Sequence, residues 1–515
     1  MTLQEGGARD SQVDTLEAKG LIRVATYRPE LEYLFRHWLV QDAAYGSLLK
    51  QERKELHRQV GEALEALYPD RRAELAGMLA IHFEQAGETA KAMEYLIAAG
   101  TYGLDRSAIQ EAFASFDRAA GLLPPASSSD SETIRRQRVA VQLGRARAGF
   151  SFRSPEATVG DLDSILPEAE RLGDLEQEAM INTLIGLTRL QNGENASDPA
   201  VRKSLDRVTE IARQLDDPAL RAMPLALVGL TQVFGGPIRA GVAALEEAVP
   251  LMESRKDTIG AAFARGALAI GYANLGEFEK AEAAAQNANE LAAKSDLIAQ
   301  LDAQIAESWV RAAEGKLDQA VPLAQACINR AEETGASACV MASSWILGDA
   351  FLRQGKFAEA REVLERGKDI SHVVDRKGWR PTLTAWLGSA TAALGDPDRS
   401  DWAEALETAR SVGNHLGEAG ILSKRAETEA RSGELEPALA DFAAGAAILE
   451  DEGARPSLAR LLQGWGEVLQ LAGRFDDAQA TLRRSLGLFE ELGLEAEATT
   501  VRTMLSLGPT KIAFA

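Results

Sequence analysis

Cysteine, aromatic residues and catalytic motifs are all scarce in this chain, and each shortage excludes something. Only Cys327 and Cys339 occur among 515 residues, too few for a disulfide framework at this length. That points to a reducing compartment. No apolar run reaches the ~18 residues needed to cross a bilayer, and Met1 to Lys19 lacks a signal-peptide core, so the expected location is the cytoplasm. G-x-x-x-x-G-K-[ST], G-x-S-x-G and H-E-x-x-H are all missing, which removes a phosphate-cradling loop, a nucleophile elbow and a zinc-protease helix. The five histidines are dispersed; His372 and His415 have no second ligand nearby, and His37, His57 and His82 read as packed or hydrogen-bonded side chains. Cationic charge is short as well: 56 Lys and Arg face 77 Asp and Glu, for a net charge of -21 and a pI near 4.9. Such a field argues against a general nucleic-acid or anionic-membrane surface and suits basic or neutral partners. With no cofactor, metal site or enzyme activity expected, the chain reads as a recognition protein.

Glycine, by contrast, recurs on a beat. Gly236, Gly276, Gly315, Gly355, Gly395, Gly433 and Gly473 follow one another at intervals of 38 to 40 residues, and most are followed five positions later by alanine: Ala281, Ala320, Ala360, Ala438 and Ala478. A detached copy, Gly87 with Ala92, lies nearer the N-terminus. A period of this length marks stacked helical hairpins that cannot bury their apolar faces alone. Around Gly355, Leu347, Phe351 and Leu352 fall on one side of a helix, Gly348 admits a neighbouring helix, and Gly355 can end the helix at positive φ. Ala360 and Leu364 then face back from a second helix starting by Phe357. Gly149 and Gly193 are candidates for two looser turns upstream.

These positions resemble the tetratricopeptide repeat family. Leu347-Gly348, Leu387-Gly388 and the variant Trp465-Gly466 match its Leu-Gly pair; Phe351 and Tyr272 match its first-helix aromatic. The match weakens where Arg311, Glu429 and Thr391 replace the aromatic, and where Pro397 opens a longer turn. HEAT-type repeats are the structural alternative, because their unit length overlaps. The resemblance implies an all-α, right-handed superhelical solenoid whose concave groove receives partners.

Residues 31–64 carry a second resemblance. Phe35-Arg36-His37, Gln41-Asp42-Ala43-Ala44-Tyr45, Leu48-Leu49, Arg53 and Leu56-His57 look like the end of the winged-helix segment of large bacterial signalling ATPases, many of which begin with a nucleotidyl cyclase domain. The chain's first residue falls inside that segment, so the expectation is a truncated winged-helix remnant, with strands at Leu21–Val24 and Leu31–Phe35 around a turn at Pro29. The expected layout is 1–68 winged-helix remnant and connecting helix, 70–123 first hairpins, 124–131 linker, 132–507 superhelix and 508–515 tail. On this resemblance the chain is the sensor or scaffold half of a signalling ATPase or cyclase. Two rival readings are an enzyme of that parent class and the effector domain of a transcription regulator.

Counting six and ten residues back from each turn glycine gives the positions that should face the groove. They are Trp309, Trp345, Asp349, Glu427 and Glu467. Two tryptophans in adjacent repeats would form an aromatic anchor for a protein segment, a peptide or a small effector. Trp386 and Trp465 match helix-core positions instead. The cluster Arg135, Arg136, Arg138, Arg145 and Arg147 reads as a solvated helix face, and both cysteines as small packed residues.

Overall fold

The structure is a computed structural model that describes residues 6–26, 32–106, 108–150, 152–192, 194, 198–295, 297–374, 377–396 and 401–506. The expected turn residues Pro29, Gly193 and Pro397, and the tail 508–515, lie outside these. The chain forms two compact units, Met1–Ala148 and Gly149–Ala515.

The first unit starts with α1 (Gly6–Ala18) and an antiparallel hairpin of β1 (Ile22–Thr26) and β2 (Glu32–Phe35), in which Ile22 pairs with Phe35 and Val24 with Tyr33. Then come α2 (Trp38–Gly46), α3 (Lys50–Leu67), α4 (Ala76–Ala86), α5 (Thr89–Asp105), α6 (Ile109–Leu122) and α7 (Glu132–Gly149). Phe83 and Phe116 are fully buried against glycines. A Cβ on Gly61 would lie 2.8 Å from Phe83, and one on Gly100 or Gly144 would lie 2.6 or 2.3 Å from Phe116. Leu34, Phe35, Trp38, Leu39 and Leu49 remain exposed on β2, α2 and the turn after it.

The stretch 124–131 is tied into this unit. Arg138 is 7% exposed and binds Asp130 at 2.7 Å and the Pro124 carbonyl at 2.9 Å, while Arg135 binds the carbonyls of Asp130 and Ser128. Two of the five arginines expected on a solvated face, Arg135 and Arg138, therefore form a staple. The Arg138 guanidinium, with the Ser127 amide, holds the Asp130 carboxyl below its usual range.

The second unit contains α8 (Pro155–Leu172), α9 (Leu175–Gln191) and α10 (Pro199–Gln214), and then a regular series. Its hairpins are α11 (Ala222–Gly235) with α12 (Ile238–Ser254), α13 (Thr258–Leu275) with α14 (Phe278–Ala292), α15 (Leu297–Ala313) with α16 (Leu317–Thr334), and α17 (Ser337–Arg353) with α18 (Phe357–Val373). They continue with α19 (Arg380–Ala393) and α20 (Trp402–Ser411), α21 (His415–Arg431) and α22 (Leu435–Glu452), and α23 (Arg455–Leu471) and α24 (Phe475–Glu491), before a final α25 (Glu495–Ser506). This is an all-α solenoid of tetratricopeptide-like hairpins.

The turn glycines from Gly276 to Gly473 sit at φ +71° to +85°, the left-handed conformation that stops a helix without a Cβ penalty. A Cβ on Gly348 would meet Leu364 at 2.5 Å, so this glycine sets the approach of α17 and α18. A second glycine series, Gly335, Gly413, Gly453 and Gly493, closes the second helices at φ +64° to +71°. The sequence displays it about half a period after the first.

The solenoid also touches itself. Hairpins five places apart meet: α11 packs against α21 and α13 against α23. At this seam Gly276 faces Leu492 and Pro456, and Glu452 reaches back 214 residues to accept the Ile238 N–H at 3.3 Å.

Candidate functional site

Because successive coils meet, the groove expected from the repeats is walled into a cavity of about 1420 Å³ within the second unit. First helices of the hairpins supply most of its lining, since their inner faces look toward the coil axis. Trp309 (α15), Trp345 and Asp349 (α17), Glu427 (α21) and Glu467 (α23) all line it. Five positions chosen from four different repeats are thus brought together in one space.

One wall is aromatic. Trp309 and Trp345 stack with centroids 4.6 Å apart at 32°; Phe234 meets Trp309 edge-on at 5.0 Å, and Trp386 meets Trp345 at 5.5 Å. Trp379 extends the row, 6.3 Å from Phe234. Hydrogen bonds fix two of the indoles: Trp309 Nε1 donates to Asn274 at 3.0 Å and Trp386 Nε1 to Asp349 at 2.9 Å. Trp345 Nε1 is buried with no hydrogen-bond partner among the described residues. A buried donor left unmatched costs about 1–3 kcal/mol. Trp386 is only 6% exposed, as its core position predicts, yet its ring also contributes to the cavity wall.

The rest of the lining is charged and unevenly satisfied. Arg353 donates to the Ala312 carbonyl at 2.7 Å and to Glu497 at 3.3 Å; Arg460 donates to the Ala313 carbonyl at 2.7 Å and to the same Glu497 oxygen at 3.1 Å. One carboxylate from α25 therefore bridges two arginines and ties the last helix to the end of α15. Burial, with Arg353 alongside, pulls the Arg460 guanidinium down to about 10. Across the space, Lys424 divides itself between Glu427, at 3.2 Å, and the face of Trp386, at 5.8 Å. Among the described residues Glu467 accepts one hydrogen bond, from the Gln463 amide at 3.3 Å on its own helix. Burial pushes its carboxyl above the usual range and neighbouring Glu427 pushes the same way.

Other titratable side chains serve packing. Cys327 is buried, and burial pushes its thiol up to about 11; Cys339 is buried beside Asp302. In the first unit His57 Nδ1 lies 3.0 Å from His82 Nδ1, and Tyr45 Oη lies 3.0 Å from His57 Nε2. Periodicity could not reveal that pairing, because the residues stand 25 apart on different helices. Among the described residues no group of three or more His, Cys, Asp or Glu is arranged to hold a metal, and no helix is long and apolar enough to cross a membrane.

No family model matches the chain. Over 122 residues it is 34% identical to an uncharacterized protein, R02095, of Rhizobium meliloti (strain 1021), a match spanning 23% of this chain and 11% of that one. Among solved structures, a Rap protein complexed with Competence and Sporulation Factor is similar at 12% identity and TM-score 0.48, over 78% of this chain and 98% of that chain. The Rap conjugation gene regulator of plasmid pLS20, in complex with the Phr* peptide, is similar at 13% and 0.41, over 79% and 97%. The Cut9-Hcn1 hetero-tetramer of the APC/C is similar at 13% and 0.49, over 90% and 88%. Likeness at this level says nothing of a ligand, so any functional reading must come from this chain's own cavity.

Proposed function

We propose that the chain is a non-catalytic protein-interaction and regulatory module whose cavity receives a segment of a partner or an effector. The observation that carries this is the convergence of Trp309, Trp345, Asp349, Glu427 and Glu467 from four repeats onto one lined space. Stacked tryptophans offer large, stiff apolar area at low entropic cost, which is the chemistry of recognition hot spots. In the longer signalling ATPases or cyclases that the N-terminal residues resemble, this module would be the sensor or scaffold half, transmitting occupancy through the seam between coils in the cytoplasm. The winged-helix remnant belongs to the same proposal.

Affinity capture followed by thermal shift tests the reading. Trp309→Ala and Trp345→Ala should each weaken a captured partner about tenfold or more, as hot-spot truncations do, while the fold is retained. Silent variants would remove its support. Measured ATP turnover by the purified chain would favour the enzymatic rival, and a gel shift of duplex DNA at moderate salt would favour the transcriptional one.

A further inference from the structure

Resting on that reading of the cavity, we propose that its occupant is an extended basic peptide. A Lys or Arg side chain of the peptide would sit at Glu427 and Glu467, and an apolar neighbour against Trp309 and Trp345. Three features of the wall lead to this chemistry.

Size comes first. About 1420 Å³ exceeds the 300–1,000 Å³ typical of small-molecule pockets and suits a length of chain. Charge comes second. Of the cavity's half-buried or buried arginines, Arg353 and Arg460 are occupied by Glu497 and by the carbonyls of Ala312 and Ala313, and Arg431 lies over the Phe357 ring at 5.4 Å, so an incoming anion would have to displace contacts already made. Arg202 lines the cavity too, but it is exposed and one turn from Asp206. Among the described residues, Glu467 by contrast accepts one hydrogen bond, from the neutral Gln463 amide, while Glu427 takes the Ser389 hydroxyl at 3.5 Å and a lysine it shares with the Trp386 ring. Burial and the Glu427 carboxylate disfavour the Glu467 charge, Gln463 and Arg431 offset this in part, and a further cation beside it would offset it more.

Third, the tryptophan row presents π faces beside these carboxylates. Cations attracted to such faces gain roughly 0.5–2 kcal/mol, and Arg most often exploits them. The chain's net charge of -21 would steer a basic segment toward it.

The test uses the full chain at about 0.15 M ionic strength, where surface attraction is screened beyond ~8 Å. The probe is a fluorescein-labelled pool of decapeptides randomised over Arg, Lys, Leu, Phe and Gly; a matched pool carries Asp and Glu instead, and argininamide serves as the small cation. The basic pool should bind and quench tryptophan fluorescence. The double variant Glu427→Gln with Glu467→Gln should weaken it about tenfold or more, while Glu279→Gln with Glu436→Gln, two exposed acids, should change it less than about twofold. Trp345→Ala, which removes the ring, should cost about tenfold or more.

Equal binding of the acidic pool, or an unchanged affinity in the Glu427/Glu467 variant, would overturn the basic-peptide assignment. If Trp345→Ala still abolished binding, the cavity would stand as a recognition site. Argininamide binding as tightly as the pool would overturn the peptide part. Failure of both pools, with Trp309→Ala and Trp345→Ala silent toward a captured partner, would remove the assignment and the recognition reading together.

Discussion

The second unit puts some of its large aromatic side chains to a use that Phe83 and Phe116 of the first do not share. In the first, Phe83 and Phe116 are swallowed whole, each seated on glycines whose missing Cβ makes room for a ring. In the second, Phe442 and Phe489 are fully buried too, but Phe234, Trp309 and Trp345 are only half buried and gather along a cavity. A ring left without a seat between helices can serve a surface instead. The difference teaches that a ring's seat, more than its presence, separates structural from recognition roles.

The sharpest way to break this comparison is to truncate one ring of each kind. Phe116→Ala should destabilise the first unit by about 3–5 kcal/mol, since the hole between Gly100 and Gly144 has no neighbour able to fill it. Trp345→Ala should cost the second unit clearly less, on the order of 1–3 kcal/mol, because the ring already faces open space. Denaturant unfolding followed by circular dichroism would compare them, and equal losses would erase the distinction.

A smaller effect is expected at the seam. Glu497→Gln leaves Arg353 and Arg460 enclosed without their shared counter-charge; with these side chains about a fifth exposed, the loss should be roughly 1–2 kcal/mol, less than for a fully buried pair. Hydrogen exchange should then rise in α25 and at the end of α15. Unaltered exchange there would mean that the bridge holds nothing.

The smallest effects separate the units by pH. Burial lowers the His57 and His82 pKa values, so the unfolded chain binds the more protons just below pH 6.5 and the first unit should lose stability as pH falls through that range. At Glu467 the sign reverses. Its folded pKa is raised, so its contribution worsens as pH rises from about 4.5 through the folded value, and Glu467→Gln should flatten that slope. Thermal melts of wild type, His82→Gln and Glu467→Gln between pH 4.5 and 7.5 would show both signs or neither.

The hairpins were legible in the sequence because their determinants are local. A glycine at positive φ and an alanine five residues on act within one turn of chain, and so do the six- and ten-residue offsets that bring Trp309, Trp345, Asp349, Glu427 and Glu467 to one space. Closure of the groove was not legible. It depends on pairs such as Ile238 with Glu452 and Arg353 with Glu497, 214 and 144 residues apart, whose residue types carry no period. The staple at Arg138 escaped notice for a related reason: a run of arginines on a helix looks the same whether it faces water or a buried aspartate. Trp345 Nε1 likewise shows nothing in sequence that separates an unmatched indole from the bonded ones beside it.

Contact between hairpins five places apart constrains how such an array can lengthen or shorten. An open spiral tolerates the gain or loss of a unit, because each module needs only its flanking neighbours. Here, excising the α19–α20 hairpin would bring Gly276 opposite a different loop and carry Glu497 away from Arg353. Duplication or deletion of single modules is thus penalised far from the cut, and the number of units is held nearly as firmly as the identity of a core residue.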